Sequence, residues 1–164
     1  MREAVRLLFL INIYSEVAHR AMRSQYQRIV RADPPQLSDG YLFALALADL
    51  LRAAKEAAQA LPAAAPDIAA DMQALPDVTD FRNLLQHWPD YAKGRGRDAD
   101  RLGRSHGLVR GKAWFHWDKL DPPTLRIGGS PGGLLLNVED AKRAGAALFQ
   151  TVHSAVRTAT LQSR

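Results

Sequence analysis

Arg82, Asn83, His87 and Tyr91 lie in the stretch FRNLLQHWPDYAKGRGRD, residues 81–98. On an α-helix each residue advances by about 100°, so positions four apart nearly align. Asn83, His87 and Tyr91 therefore share one stripe of a helix through this stretch, with Asp80 and Asp90 beside it. Arg82 and His87 are five residues apart, which separates them by about 140° around the axis. One helix holds their functional groups apart. Two copies, facing each other across a two-fold axis, let Arg82 of one chain approach His87 of the other. Histidine titrates near neutrality and can move a proton to or from a ribose 2′-OH or a leaving 5′-oxygen. Arginine holds a phosphate bidentately and stabilises the charge that develops on it. Asn83 can orient the imidazole or the phosphate. Such a pair suits phosphodiester cleavage, and the scheme calls for no metal and no cofactor.

RNLLQH, residues 82–87, resembles the Arg-to-His signature of HEPN ribonucleases, helical proteins often found in toxin–antitoxin and defence systems. Members of that family commonly carry a polar residue, often Asn, directly after the Arg, as Asn83 stands here. The resemblance implies a helical domain that dimerises, with a composite RNA-cleaving site at the dimer axis. It assigns catalysis to Arg82 and His87, and a supporting role to Asn83. Tyr91 lies one turn beyond His87, whereas the family's Tyr, where present, often lies closer. The β-rich segment 112–136 also departs from an essentially all-helical family. Many HEPN-like proteins are non-catalytic binding versions.

The same stretch has a structural reading. Arg82 can pair with Asp80 or Asp90 at the surface, where an ion pair contributes little. Asn83 and His87 can form a buried polar patch, with Trp88 and Tyr91 as core residues.

The formal net charge is +5, and the segment 93–112 holds all of it. Seven basic residues there, among them Arg95, Arg97, Arg101 and Arg104, stand against Asp98 and Asp100. A local basic segment attracts phosphates or acidic surfaces. Beside the Arg82–His87 pair it would hold an RNA backbone. Alternatively it is the contact of a non-catalytic regulatory module that binds an acidic protein partner.

Other chemistry finds little support. His19, His106, His116 and His153 form no HxH, HxxxH or HExxH spacing, which argues against a metal site. The chain has no cysteine, so disulfides and thiolate metal sites are excluded, as fits a reducing cytoplasm. GRGR lacks the preceding strand and following Lys-Ser/Thr of a nucleotide fingerprint, and GGSPGG lies between apparent strands and reads as a turn. In WFHW, residues 114–117, aromatics beside a basic loop could stack on bases; a short strand with one core face is the plainer expectation. The opening MREAVRLLFLINIYSEVAHRA is interrupted by Asn12, Tyr14, Ser15 and Glu16, which predicts neither a signal peptide nor a membrane span.

The elements that must position these residues are mostly helical. An apolar fraction of 47% with 24% charged residues is that of one soluble globular domain, here residues 1–164. Helices are expected at 3–31, 39–61, 67–75, 78–93 and 138–160. Leu7, Leu10, Ile11, Tyr14, Val17, Ala18, Ala21 and Met22 recur at three- and four-residue steps along the first, the pattern of a buried stripe. Asp33-Pro34-Pro35 stops it, and Ser38 or Asp39 could cap the second. Asp77 or Thr79 could cap the fourth, whose apolar stripe is Val78, Phe81, Leu85 and Trp88. The segment 112–136 predicts a small antiparallel hairpin or meander, and Asn137 should cap the last helix. The fold class is therefore mainly α, an antiparallel bundle with a small antiparallel sheet before the C-terminal helix. Broad apolar helix faces point to a homodimer.

Overall fold

The computed structural model describes residues 2–75, 78–86, 115–128 and 133–162. Among these, five helices and three strands follow in order: α1 (Arg2–Arg31), α2 (Leu37–Ala60), α3 (Ala65–Gln73), α4 (Val78–Gln86), β1 (Phe115–Leu120), β2 (Pro123–Ile127), β3 (Leu134–Asn137) and α5 (Val138–Gln162). The protein is mainly helical, with a small three-stranded antiparallel sheet ahead of the C-terminal helix. No helix among the described residues is long and apolar enough to cross a membrane.

α2 is the centre of the bundle and touches the other four helices and β1. Its run of Ala and Leu suits both helix formation and close approach on several sides. Phe43, Leu47, Leu50, Ala54 and Ala57 are fully buried. α1 packs on α2 and α5, and Met22, Leu47 and Gly145 meet where the three helices converge. A Cβ on Gly145 would stand 2.7 Å from Met22 Sδ and 2.8 Å from Leu47 Cδ2, so the bare backbone of glycine sets this approach.

α2 begins two residues before the expected start. Gln36 precedes it in extended conformation without a side-chain cap. Ser38 and Asp39 thus lie inside the first turn rather than capping it, and the buried Asp39 carboxylate stands 3.7 Å from Arg28 of α1. Thr79 likewise lies within α4, and Asp77 is outside the described residues. The Asn137 cap is present: its Oδ1 accepts the Asp140 N–H at 3.0 Å, so β3 passes into α5 without a loop.

The sheet is a meander, β1–β2–β3. Trp117 pairs with Leu125 and Leu125 with Leu136, while Phe115 pairs with Ile127 and Ile127 with Leu134. Side chains alternate across a strand, so these six form one apolar face against the helices, and the core face of the first strand is the one with Phe115 and Trp117. A Cβ on Gly40 of α2 would fall 2.7 Å from Leu125 and 3.2 Å from Trp117, which shows how closely the sheet seats there. His116 and Arg126 pair on the other face. Asp118, the unpaired residue of a bulge between Trp117 and Lys119, accepts from Arg126 Nε at 2.6 Å. That hydrogen bond, ahead of the charges of Arg126, His116 and Lys119, holds the Asp118 carboxyl below its ordinary range against the opposing effect of burial.

Along α1 the expected stripe divides. Leu8, Ile11, Ser15, Ala18, Met22 and Ile29 are buried, whereas Leu7, Leu10, Tyr14 and Val17 are 41–68% exposed and Ala21 is exposed as well. Both edges of the stripe are apolar, but only one faces this chain's core.

Candidate functional site on α4

Val78, Phe81 and Leu84 recur every three residues and are all buried, which fixes how α4 is turned. Phe81 meets Phe115 of β1 edge-on at 6.2 Å, and the helix packs on α2. The buried stripe runs through Leu84, which the sequence pattern had not singled out; the side chain of Leu85 is outside what is described. With that face buried, Arg82 and Asn83 come half out of the core. Arg82 Nη1 donates to Asn83 Oδ1 at 3.3 Å.

Arg82 opens onto a groove of about 260 Å³ between α2 and α4. Arg52 and Lys55 of α2 line it as well, with Asp49 and Glu56 opposing them. Among the described lining residues, three cations stand against two carboxylates. Sequence reasoning missed Arg52 and Lys55. Their signal was the charged run Asp49, Arg52, Lys55, Glu56 in an otherwise Ala- and Leu-rich helix, which marks the one side of α2 that reaches solvent.

The structure thus brings Arg82 and Asn83 together. His87, Tyr91, Arg95, Arg97, Arg101 and Arg104 lie outside the described residues, as do Asp90, His106 and the basic segment 93–112.

Two further histidines are built into the α1–α5 contact. His19 stacks on Phe149 at 4.1 Å and 10° between planes, and Phe149 stacks on His153 at 5.5 Å. His153 Nδ1 and Asn12 Oδ1 are 3.0 Å apart. Burial, then the charges of Arg23 and Lys142, hold the His19 imidazole below its ordinary pKa. Both side chains pack in the contact between α1 and α5. No group of three or more His, Cys, Asp or Glu able to hold a metal occurs among the described residues.

Compared with protein-family models, curated proteins and solved structures, the chain matches none.

Proposed function

We propose that the protein is a HEPN-like, RNA-binding homodimer of a bacterial toxin–antitoxin or defence system, cytoplasmic, and that it cleaves RNA without a metal. The observation that carries this reading is the placement of Arg82. It is half-buried on a packed helix, held by Asn83, and opens onto a groove whose described lining has more cations than carboxylates. A guanidinium fixed at one edge and free to meet solvent at the other suits a phosphate.

In the reaction Arg82 binds the scissile phosphate and stabilises the charge that develops on it. His87 takes the proton of the ribose 2′-OH. The 2′-oxygen forms a bond to phosphorus as the bond from phosphorus to the 5′-oxygen breaks, and the leaving oxygen receives a proton. The products are a 2′,3′-cyclic phosphate and a 5′-hydroxyl. Arg95, Arg97, Arg101 and Arg104, with Tyr91, hold the flanking strand.

The test is cleavage of a labelled single-stranded RNA in excess EDTA by the wild type, His87→Ala and Arg82→Ala. Cleavage by the wild type that is lost in both variants, with folding intact, supports the assignment. An unchanged rate in His87→Ala sinks it. A second reading draws on the charge of segment 93–112: a non-catalytic module whose basic loop binds an acidic protein partner. That reading expects no cleavage by any form, and loss of the partner in Arg95→Glu/Arg97→Glu.

A further inference from the structure

Asp49, Arg52 and Glu56 line two grooves, the one of about 260 Å³ onto which Arg82 opens and one of about 500 Å³ between α1 and α2. They therefore form the crest of α2 between the two. Of these grooves, Lys55 and Gln59 of α2, with Thr79 and Arg82 of α4, line only the smaller. The helical spacing agrees: positions 49, 52 and 56 fall within about 60° of arc, and position 55 lies about 60° beyond 52 on the α4 side. The carboxylates thus stand at the rim, and the wall facing α4 carries Lys55.

Neither Lys55 nor Arg82 forms an ion pair among the described residues. Two cations therefore face one groove from two packed helices, and an anion between them relieves their repulsion. Arg82 uses one N–H on Asn83, of the five that a guanidinium carries. The Thr79 hydroxyl and the Gln59 amide, both on exposed residues of the same lining, add neutral donors. Ammonium, guanidinium, hydroxyl and amide are the groups that meet phosphate oxygens on nucleic acids. Sites for drug-sized ligands run from about 300 to 1,000 Å³. A groove of about 260 Å³ suits a smaller group, one phosphate of a strand that continues beyond it. Its described lining holds no aromatic ring on which a base could stack, so it fits backbone rather than base.

We infer that Lys55 and Arg82 clamp one phosphodiester of single-stranded RNA between α2 and α4, with Gln59 and Thr79 as neutral donors to its oxygens. The choice of RNA as ligand rests on the ribonuclease proposal. Lys55 becomes a second cation on the phosphate that Arg82 holds, contributed by a helix outside the Arg82–His87 motif. Asp49 and Glu56 repel the neighbouring phosphates from the crest, so the strand leaves the groove along α4 and not across α2. The contact is to the backbone alone and is indifferent to base sequence.

Fluorescence anisotropy of a labelled oligouridylate, read in the His87→Ala background with EDTA, measures binding without cleavage. Lys55→Gln should weaken binding roughly fivefold, the scale of one exposed charge contact, and Lys55→Arg should bind within about twofold of the parent. Thr79→Val should weaken it about twofold. Arg143→Gln removes the same charge from an exposed site on α5 and should leave binding unchanged. Lys55 and Thr79 are exposed, so their variants should keep the parent's circular dichroism. Salt dependence counts the phosphates: one contact on a single strand contributes about 0.7 to the slope of log K against log salt. Lys55→Gln/Arg82→Gln should lower that slope by about 0.7, one shared phosphate, whereas a loss of about 1.4 means two separate phosphates and overturns the clamp. Lys55→Gln that binds like its parent, or a parent that binds no RNA at about 50 mM salt, overturns it too. Cleavage is read separately with His87 in place. RNA that is bound with this slope and left intact rejects the ribonuclease proposal and leaves the clamp standing. Cleavage that depends on His87 and not on Lys55 rejects the clamp alone.

Discussion

Arg82 Nη1 donates a hydrogen bond to Asn83 Oδ1, its immediate neighbour on α4, at 3.3 Å. Adjacent residues on a helix point about 100° apart and do not ordinarily meet. Under the ribonuclease proposal, this contact makes Asn83 a positioning residue for the guanidinium. Asn83→Ala should weaken RNA binding by about three- to tenfold, the range of one partly exposed hydrogen bond to a charged group. Asn83→Gln keeps an uncharged amide acceptor and should retain most of the binding. If Asn83→Ala binds RNA as well as the wild type, the positioning role is wrong. A thermal melt of both variants should stay close to that of the wild type, because Asn83 is not part of the buried stripe.

Asn137 closes the sheet and opens α5 in one residue. It pairs with Thr124 as the last residue of β3 and caps α5 through the Asp140 N–H. Asn137→Ala should lower stability by about 1 kcal/mol, the usual contribution of an N-cap side chain, as read from the midpoint of urea unfolding. Asn137→Ser, which keeps an acceptor, should recover most of that loss.

That cap was legible in the sequence because its signals are local: an Asn between a short apolar strand and a periodic helical run. The helix order, the proline breaks and the position of the sheet were legible for the same reason. Ser38 and Asp39 misled because they are good caps by type. The chain instead uses the Asp39 carboxylate against Arg28 of α1, a tertiary contact with no local trace. Leu7, Leu10, Tyr14 and Val17 misled differently. Periodicity reports that a face is apolar, and it cannot report whose core that face joins. The lining of the α2–α4 groove was only partly legible. Arg82 and Asn83 came from a motif on one helix, whereas Arg52 and Lys55 reach the groove only through the packing of α2 on α4.

Gly145 sits where α1, α2 and α5 converge, and a methyl group there would meet Met22 and Leu47, both fully buried. Alanine favours a helix over glycine by roughly 0.5–1 kcal/mol, but overpacking a tight core loses about 1–3 kcal/mol. Gly145→Ala should therefore be net destabilising, by about 1 kcal/mol, and Gly145→Val more so. The double variant Gly145→Ala/Leu47→Ala should lose less than the sum of the two single changes, because the shorter side chain makes room for the methyl. Additive losses would mean that the close approach does not limit the packing here.

His19 gives the α1–α5 contact a pH dependence whose sign follows from its surroundings. Its ring lies flat on Phe149, and burial, Arg23 and Lys142 disfavour the protonated form. Lys142 also lies over the Tyr26 ring at 5.3 Å, which keeps that charge near the contact. His153 also stacks on Phe149 and meets Asn12. The folded-state pKa of His19 is lowered from the ordinary value of 6.5. Below pH 6.5 the unfolded chain therefore takes up a proton that the folded chain resists. The contribution of neutral His19 is fully present above pH 6.5 and declines as pH falls toward the folded pKa. The thermal midpoint should thus drop between pH 7 and pH 5, and His19→Phe should remove part of that slope while keeping the stacked ring. A midpoint that falls equally in His19→Phe would place the sensitive group elsewhere. Neutralising Arg23, whose charge acts more strongly than that of Lys142, should act in the other direction: Arg23→Gln should raise the His19 pKa toward 6.5, seen as a shift of its imidazole proton resonances in an NMR titration.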